Sequence, residues 1–327
     1  MLKPGPRNLI TDVPGLTVGH ATDETAETGV TTILCDAPWV AAVDVRGGGP
    51  GVRETETLAP ENLVAGVHAV VLSGGSVFGL AAADGVVARL SARGIGMRLR
   101  PEGHAIPIVP GAVLHDLARG KKDWGEEPPY HALGRASVDT AAPDFALGSV
   151  GAGRGAVAGH IEGGIGSTSL DLGEGLIVGA LVAANPVGSV LMPGSDVYWA
   201  WPFEMDGEFG GRVPTGPANA HDPMPEEGRL AGLGRLSPGA NTTLAVVATN
   251  AALSKAEAKR VAIMAQDGIA RAVRPAHMPF DGDLVFALAS GAIELPADGG
   301  RQRAIARIGS AAADCLARAI ARGVHHA

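Results

Sequence analysis

Ser237-Pro238-Gly239-Ala240-Asn241-Thr242-Thr243-Leu244-Ala245-Val246-Val247-Ala248-Thr249 changes character abruptly at its middle. Asn241 closes a Gly/Pro-rich, acidic stretch (193–240) with no sustained hydrophobic period, which carries Tyr198, Trp199, Trp201, Phe203 and Phe209. From Thr242 to Thr249 the residues are β-branched or small and apolar, the composition of a buried strand. A helix is expected directly afterwards, because Ser254 and Glu257 make an S-x-x-E capping box. Asp281-Gly282-Asp283 then leads into a strand over Leu284–Leu288, and an amphipathic helix covers about Arg301–Arg322.

Upstream of this block the same signals recur. Strands are expected at Thr31–Cys35 and Val40–Val45, separated by an Asp36-Ala37-Pro38 turn. Val45 runs into Arg46-Gly47-Gly48-Gly49-Pro50-Gly51, a loop whose backbone must pass close to a neighbour. His68–Leu72 reads as a buried strand, and Ser76–Arg93 as an alanine-rich helix closed by Gly94. Residues 105–113 are apolar but interrupted by prolines, and residues 120–145 read as polar surface. A second strand-rich block spans Gly148–Val190, with Leu176–Ala183 its clearest buried strand. There is no fixed repeat and no regular β-α alternation, which favours an α+β layered fold over a doubly wound sheet.

Composition bounds the function. The 327 residues suffice for one large or two ordinary domains, and 46% are hydrophobic. With 48 Gly and 23 Pro in so apolar a chain, the glycines read as punctuation of many tight turns rather than disorder. Only twelve residues are aromatic, so the core must be built from Ala, Val, Leu and Ile. The net charge is −8 and no basic run exceeds Lys121-Lys122, which argues against a nucleic-acid surface. The start has no apolar stretch of signal-peptide length. The run from Gly175 to Ala184 stops at Asn185-Pro186, short of the roughly 20 residues of a membrane helix. Cys35 and Cys315 have no metal or redox spacing, and two free thiols are expected rather than a disulfide. A cytoplasmic protein without a membrane partner is the expectation.

Most familiar catalytic patterns fail. Ten histidines are present, but no H-E-x-x-H, H-x-x-x-H or paired Cys-x-x-Cys, so neither a metal nor another cofactor is expected. Gly151-Ala152-Gly153-Arg154-Gly155 resembles part of a dinucleotide loop but lacks the acidic residue that would complete it. Gly120-Lys121-Lys122 lacks the Ser/Thr of a phosphate loop. Ser76 follows a strand and opens a helix like a nucleophile elbow, yet Phe78 breaks G-x-S-x-G, and a helix N-cap accounts for the serine.

Thr242 offers more. If it begins a mature chain, its hydroxyl is a nucleophile and its own α-amine the general base. An α-amine has a reference pKa near 8, close to operating pH, so little tuning is required. The hydroxyl could create that end itself by attacking the Asn241 carbonyl, passing through an ester that water cleaves. Taken alone, Asn-Thr-Thr before a strand is more often β-propensity than catalysis.

Several motifs, in order along nearly the whole chain, resemble the DmpA-type aminopeptidase family, which includes β-aminopeptidases and nylon-oligomer hydrolases. They are the segment from Ile10 to His20, Asp44-Val45-Arg46-Gly47-Gly48, Ser73–Leu80, Ala184-Asn185-Pro186-Val187-Gly188, Asn241-Thr242-Thr243 and Asp281-Gly282-Asp283. The resemblance implies a single four-layer αββα sandwich of the N-terminal-nucleophile-hydrolase type, self-cleaved into an α piece (1–241) and a β piece (242–327). It also implies a homo-oligomer, a tetramer or larger assembly of such pairs. Carried over by position, Thr242 is the nucleophile, Asn241 the end of the α piece and Asn185 the oxyanion donor. Asp281 and Asp283 would orient and charge-balance the Thr242 ammonium and a substrate amine.

Two positions depart from the family. Around Gly159–Gly163 the sequence has His160 and Glu162 where a lysine is found in relatives, and His115 stands at a tyrosine position. By the resemblance these three would fall in the pocket wall and bear on substrate preference. Asn-Thr at the junction together with Asp-Gly-Asp looks more like the nylon-oligomer hydrolases, which implies a small-molecule amide or peptide substrate such as 6-aminohexanoate oligomers. The alternatives are a β- or D-aminopeptidase on the same site, an acyltransferase of the ornithine acetyltransferase type, a non-enzymatic relic and a hydrolase centred on Ser76.

Overall fold

The computed structural model describes residues 2–217, 222–224, 241–297 and 299–327; Ser237–Ala240 of the opening stretch lie outside the described residues. Strand β10 (Thr242–Ala251) sits between β9 (Ile177–Asn185), antiparallel to it, and β11 (Leu284–Ile293), parallel to it. All ten of its residues are buried, so both faces meet a core. Successive side chains in a strand point to opposite faces. Leu244, Val246 and Ala248 enter one apolar cluster, while Ala245 and Val247 enter another.

The remaining strands follow from β2 (Thr28–Val45). Its first half pairs with β1 (Leu16–Asp23) and β4 (Val67–Ser73); its second half pairs with β11. Beyond β4 lie β5 (Gly111–Val113) and β3 (Gly51–Arg53), and beyond β9 lies β8 (Gly164–Asp171). Ile33 and Ala41, on one face of β2, both enter the cluster shared with Val246 and Phe286, so one strand serves two stacked sheets. This corrects the expected break at Asp36-Ala37-Pro38. The strand continues through an irregularity between Leu34 and Trp39. Pro38 is exposed there, so its missing N–H removes no buried hydrogen bond, and Asp36 accepts the Trp39 indole N–H at 3.0 Å.

Three clusters mark the three interfaces of an αββα sandwich. One lies between the sheets. A second joins the β8–β11 sheet to α3 (Lys255–Ala272) and α4 (Gly300–His325). The third joins the other sheet to α1 (Ala82–Ala92) and α2 (Tyr130–Asp139). Ser254 caps α3 with Glu257 in the expected reciprocal box. Helix α2 corrects the reading of 120–145 as surface. Its buried face is Tyr130, Gly134, Ser137 and Val138, and the Ser137 hydroxyl is satisfied by Thr32 at 2.6 Å. The expected N-cap at Ser76 is also corrected: a 3-10 turn over Ser76–Ala81 precedes α1, and its N-cap residue, Gly75, makes no side-chain cap bond. Gly75 and Ser76 adopt φ of 82° and 51°, and the Asp116 carboxylate holds the turn by accepting the Gly75 N–H at 2.8 Å. Burial pushes the Asp116 carboxyl up despite the Thr28 hydroxyl and the Lys122 ammonium.

A buried ionic cluster ties the irregular stretch to α4. Arg318 bonds Glu208 through Nε at 2.5 Å and Nη2 at 3.0 Å, and also donates to the Ser169 carbonyl and Asn8 Oδ1. Arg322 Nε lies 3.6 Å from Glu208 Oε2. Removing one partner of a buried ion pair strands the other charge, so Glu208→Gln is expected to lower the unfolding free energy by about 3 kcal/mol. An unchanged urea midpoint would contradict this. Cys35 and Cys315 carry free thiols. No described helix is long and apolar enough to cross a membrane.

Candidate active site

The pairing of β9 with β10 sets Asn185 directly opposite Thr242. Residues opposite one another in an antiparallel pair share a face. Both positions are in step with the residues of their strands that enter the between-sheet core, Leu181 and Ala183 on β9 and Leu244 and Val246 on β10. Thr242 and Asn185 therefore meet at one end of the sheet–sheet interface. On the other side of Thr242 the chain entering β11 wraps the first residues of β10. Asn241 and Asp281 form a parallel bridge, and the Gly282 N–H donates to the Asn241 carbonyl at 2.8 Å. The Thr243 N–H donates to Asp283 Oδ1 at 2.8 Å, and the Met278 N–H to Asp281 Oδ2 at 2.8 Å. Thr242, Asn185, Asp281 and Asp283 are all at most 2% exposed.

The glycine run at 47–49 exists to let this loop in. Arg46 and Gly47 both donate their N–H to the Asp283 carbonyl, and Gly49 donates to that of Asp281 at 2.8 Å. A Cβ on Gly47 would lie 2.3 Å from the Asp281 carbonyl oxygen, so the backbones touch as the sequence demanded. Asp44 anchors the start of the run between Lys259 at 2.8 Å and Arg46 at 2.9 Å. Burial works to raise the Asp44 carboxyl, but these two cations outweigh it and hold it below the usual carboxylate range.

Asn185 is oriented by its own bonds. Its Oδ1 accepts the Val157 N–H at 2.9 Å, which leaves Nδ2 as the donor facing the His115 carbonyl at 3.4 Å. Val157 opens a short hairpin, β6 (Val157–Ala158) and β7 (Ile161–Glu162), beside the end of β9. Of the three expected wall residues, His160 lines an open cavity of about 680 Å³ with Ser189, Met192, Gly194, Ser195 and Asp196. Glu162 forms an ion pair with Arg119 at 2.6 Å. His115 is half-buried and contributes its backbone carbonyl to the Asn185 amide. His277, which no motif had singled out, packs against Asp283. Its only sequence cue is proximity to Asp-Gly-Asp.

Two stacked sheets between two helix layers are the architecture of the Ntn hydrolase fold, which two solved aminopeptidases share. A β-aminopeptidase of Burkholderia sp. superposes with a TM-score of 0.71 at 24% identity, covering 99% of this chain and 88% of that one. The L-aminopeptidase D-Ala-esterase/amidase of Ochrobactrum anthropi, described as a variant of the Ntn hydrolase fold, gives 0.68 at 22% identity, covering 98% and 86%. Residues 8–327 match peptidase family S58, and the chain belongs to that family. It is 43% identical to an uncharacterized aminopeptidase of Mycobacterium tuberculosis (strain ATCC 25618 / H37Rv), over 98% of this chain and 94% of that protein. It is 30% identical to a 6-aminohexanoate-oligomer endohydrolase of Kocuria sp. (strain KY2), over 96% and 83%. The protein is a hydrolase acting on amide or peptide bonds.

Proposed function

We propose that this chain is a self-processing amidohydrolase whose nucleophile is Thr242, and that it separates into residues 1–241 and 242–327. The observation that carries this reading is the bracketing of Thr242 between Asn185 on β9 and the Gly282 N–H on the Asn241 carbonyl. In processing, Thr242 Oγ1 attacks the Asn241 carbonyl carbon. The oxyanion is stabilised by the Gly282 N–H, the C–N bond breaks as the Oγ1 proton passes to the Thr242 nitrogen, and water cleaves the resulting ester. The freed α-amine then takes the hydroxyl proton as Oγ1 attacks a substrate amide, and returns it to the leaving amine. Water hydrolyses the acyl-threonine.

In this reading Asn185 Nδ2 donates to the substrate oxyanion. Asp281 and Asp283 supply negative charge beside the Thr242 ammonium and for a cationic end of the substrate. Removing a preorganised oxyanion donor costs about 10²–10³-fold in kcat. Asn185→Ala is therefore expected to lose that much with little change in KM, and a variant at wild-type kcat would remove Asn185 from the mechanism.

Unhindered linear amides of the 6-aminohexanoate-oligomer type are the proposed substrates, supported by the Asn-Thr junction, the Asp-Gly-Asp motif and the 30% identity to oligomer endohydrolases. The second reading is a β- or D-aminopeptidase on the same site, favoured by the fold shared with the Burkholderia enzyme. We further propose a cytoplasmic homo-oligomer, a tetramer of paired pieces, which native mass spectrometry and cell fractionation test. The deciding experiment is an intact mass under denaturing conditions followed by assays on 6-aminohexanoyl, β-alanyl and D-alanyl amides. Two fragments and fastest release from the first amide support the proposal. A single 32.9 kDa chain removes the N-terminal nucleophile.

A further inference from the structure

Asp283 has three donors on one buried carboxylate. Thr243 N–H reaches Oδ1 at 2.8 Å, while His277 supplies Oδ2 with both its backbone N–H at 3.1 Å and its ring Nδ1 at 3.0 Å. A carboxylate only accepts, so Nδ1 carries the hydrogen. His277 achieves this double contact from a left-handed backbone, φ 57°, a region sparsely used by residues other than Gly but several-fold enriched in His, Asn and Asp. That conformation turns the amide and the ring of one residue onto the same oxygen. The next residue, Met278, donates to Asp281. Residues 277 and 278 thus each hold one of the two acidic groups that flank Gly282.

We propose that His277 is a positioning residue, acting through Asp283. Its two donors stop the carboxylate from rotating and keep it against the first residues of β10, where the Thr242 amine must be oriented. The inference rests on the reading of Thr242 as the N-terminal nucleophile. It concerns geometry: the donor must stand at the δ position of a side chain on a left-handed backbone.

That requirement separates two amides. His277→Asn places an N–H at the same distance from Cα as the imidazole Nδ1 and tolerates the left-handed region. His277→Gln carries the same group one bond further out. A misplacement of roughly 1 Å in a catalytic arrangement can cost about 10²-fold. The Gln variant is accordingly expected to lose about 100-fold in kcat with KM nearly unchanged, and the Asn variant to stay near the wild-type value. Melting curves establish that each variant folds, and intact masses establish whether each is cut. Asn and Gln variants that are equally fast, or equally slow, overturn the proposal. If the Gln variant fails to fold, the Asn variant decides alone, and a tenfold or larger loss in its kcat overturns the role of His277. An uncut wild-type chain would overturn the Thr242 reading and this inference with it, whereas a cut wild type with indistinguishable variants overturns this inference alone.

Discussion

Thr242→Ala is expected to remain a single 32.9 kDa chain and to lose hydrolysis by on the order of 10⁴-fold or more, the scale seen when a nucleophile is deleted from a working site. The substitution removes Oγ1 and one methyl from a residue that is 1% exposed. It leaves the backbone of β10 intact, and with it the pairing to Asn185 and the Thr243 bond to Asp283. Trimming so small a group from a core typically costs about 1 kcal/mol, so the variant should melt close to the wild type. Loss of cutting with retained stability is what a chemical role demands. Thr242→Ser, which keeps the hydroxyl, should be cut and should turn over. If Thr242→Ala turns over normally, the nucleophile lies elsewhere, and Ser76 on its strained turn becomes the next residue to replace.

Local signals made the second half of the fold legible. The run from Thr242 has the composition of a strand buried on both sides, and Ser254 with Glu257 fixes the start of α3 to the residue. Where the sequence misled, tertiary context overrode a local rule. Pro38 ordinarily ends a strand, but an exposed irregularity tolerates it, and β2 runs on to join the two sheets. Helix α2 hides its buried face behind Gly134 and Ser137, which carry almost no hydrophobic signal. Ser76 looks like an N-cap by position, yet its left-handed φ excludes the capping geometry and Asp116 bonds the turn instead.

The site was less legible than the fold. Periodicity could not distinguish a catalytic Thr242 from a β-former, and only the family resemblance linked it to Asn185 and Asp-Gly-Asp. What joins these segments is the register of β9 on β10 and the parallel entry of β11, neither of which local patterning encodes. Glu162 reads as an isolated acid in one dimension, and its partner Arg119, distant in sequence, is revealed only by the fold. His277 depends on a backbone angle that no composition reveals. The glycines show both sides. Taken as turn punctuation they are correctly placed at Gly75 and Gly94, while the loop at 46–51 was readable as a close approach because three consecutive glycines exceed what a turn needs.

Gly282→Ala carries the second large expected effect. Gly282 does not occupy the left-handed region, so alanine is compatible with its backbone, and whatever the variant does arises from the added Cβ alone. That Cβ would lie 2.5 Å from Thr242 Oγ1 and 3.2 Å from Thr242 Cγ2, with the Gly49 carbonyl oxygen at 3.2 Å on its other side. Real Cβ atoms do not approach an oxygen at 2.5 Å, so either the threonine side chain turns or the loop retreats. A β-branched side chain is stiff at χ1: of the two other rotamers one brings the methyl to the place Oγ1 leaves, and the other carries Oγ1 off its line to the Asn241 carbonyl. Retreat of the loop lengthens the Gly282 N–H bond to the Asn241 carbonyl, now 2.8 Å. Both routes damage processing, one by moving the nucleophile and the other by withdrawing the donor from the carbonyl it attacks. A displacement of roughly 1 Å implies about a 10²-fold slower cut and turnover. Gly299→Ala, where a Cβ meets nothing within 4 Å among the described residues, is the matched control and should be cut at the wild-type rate. Adding Thr242→Ser to Gly282→Ala removes the methyl and frees χ1, so the double variant should recover part of the lost rate. Recovery would locate the damage at the nucleophile's rotamer, and its absence would locate it at the displaced loop. Wild-type cutting in Gly282→Ala itself would mean that the crowding around Thr242 Oγ1 has no bearing on the reaction.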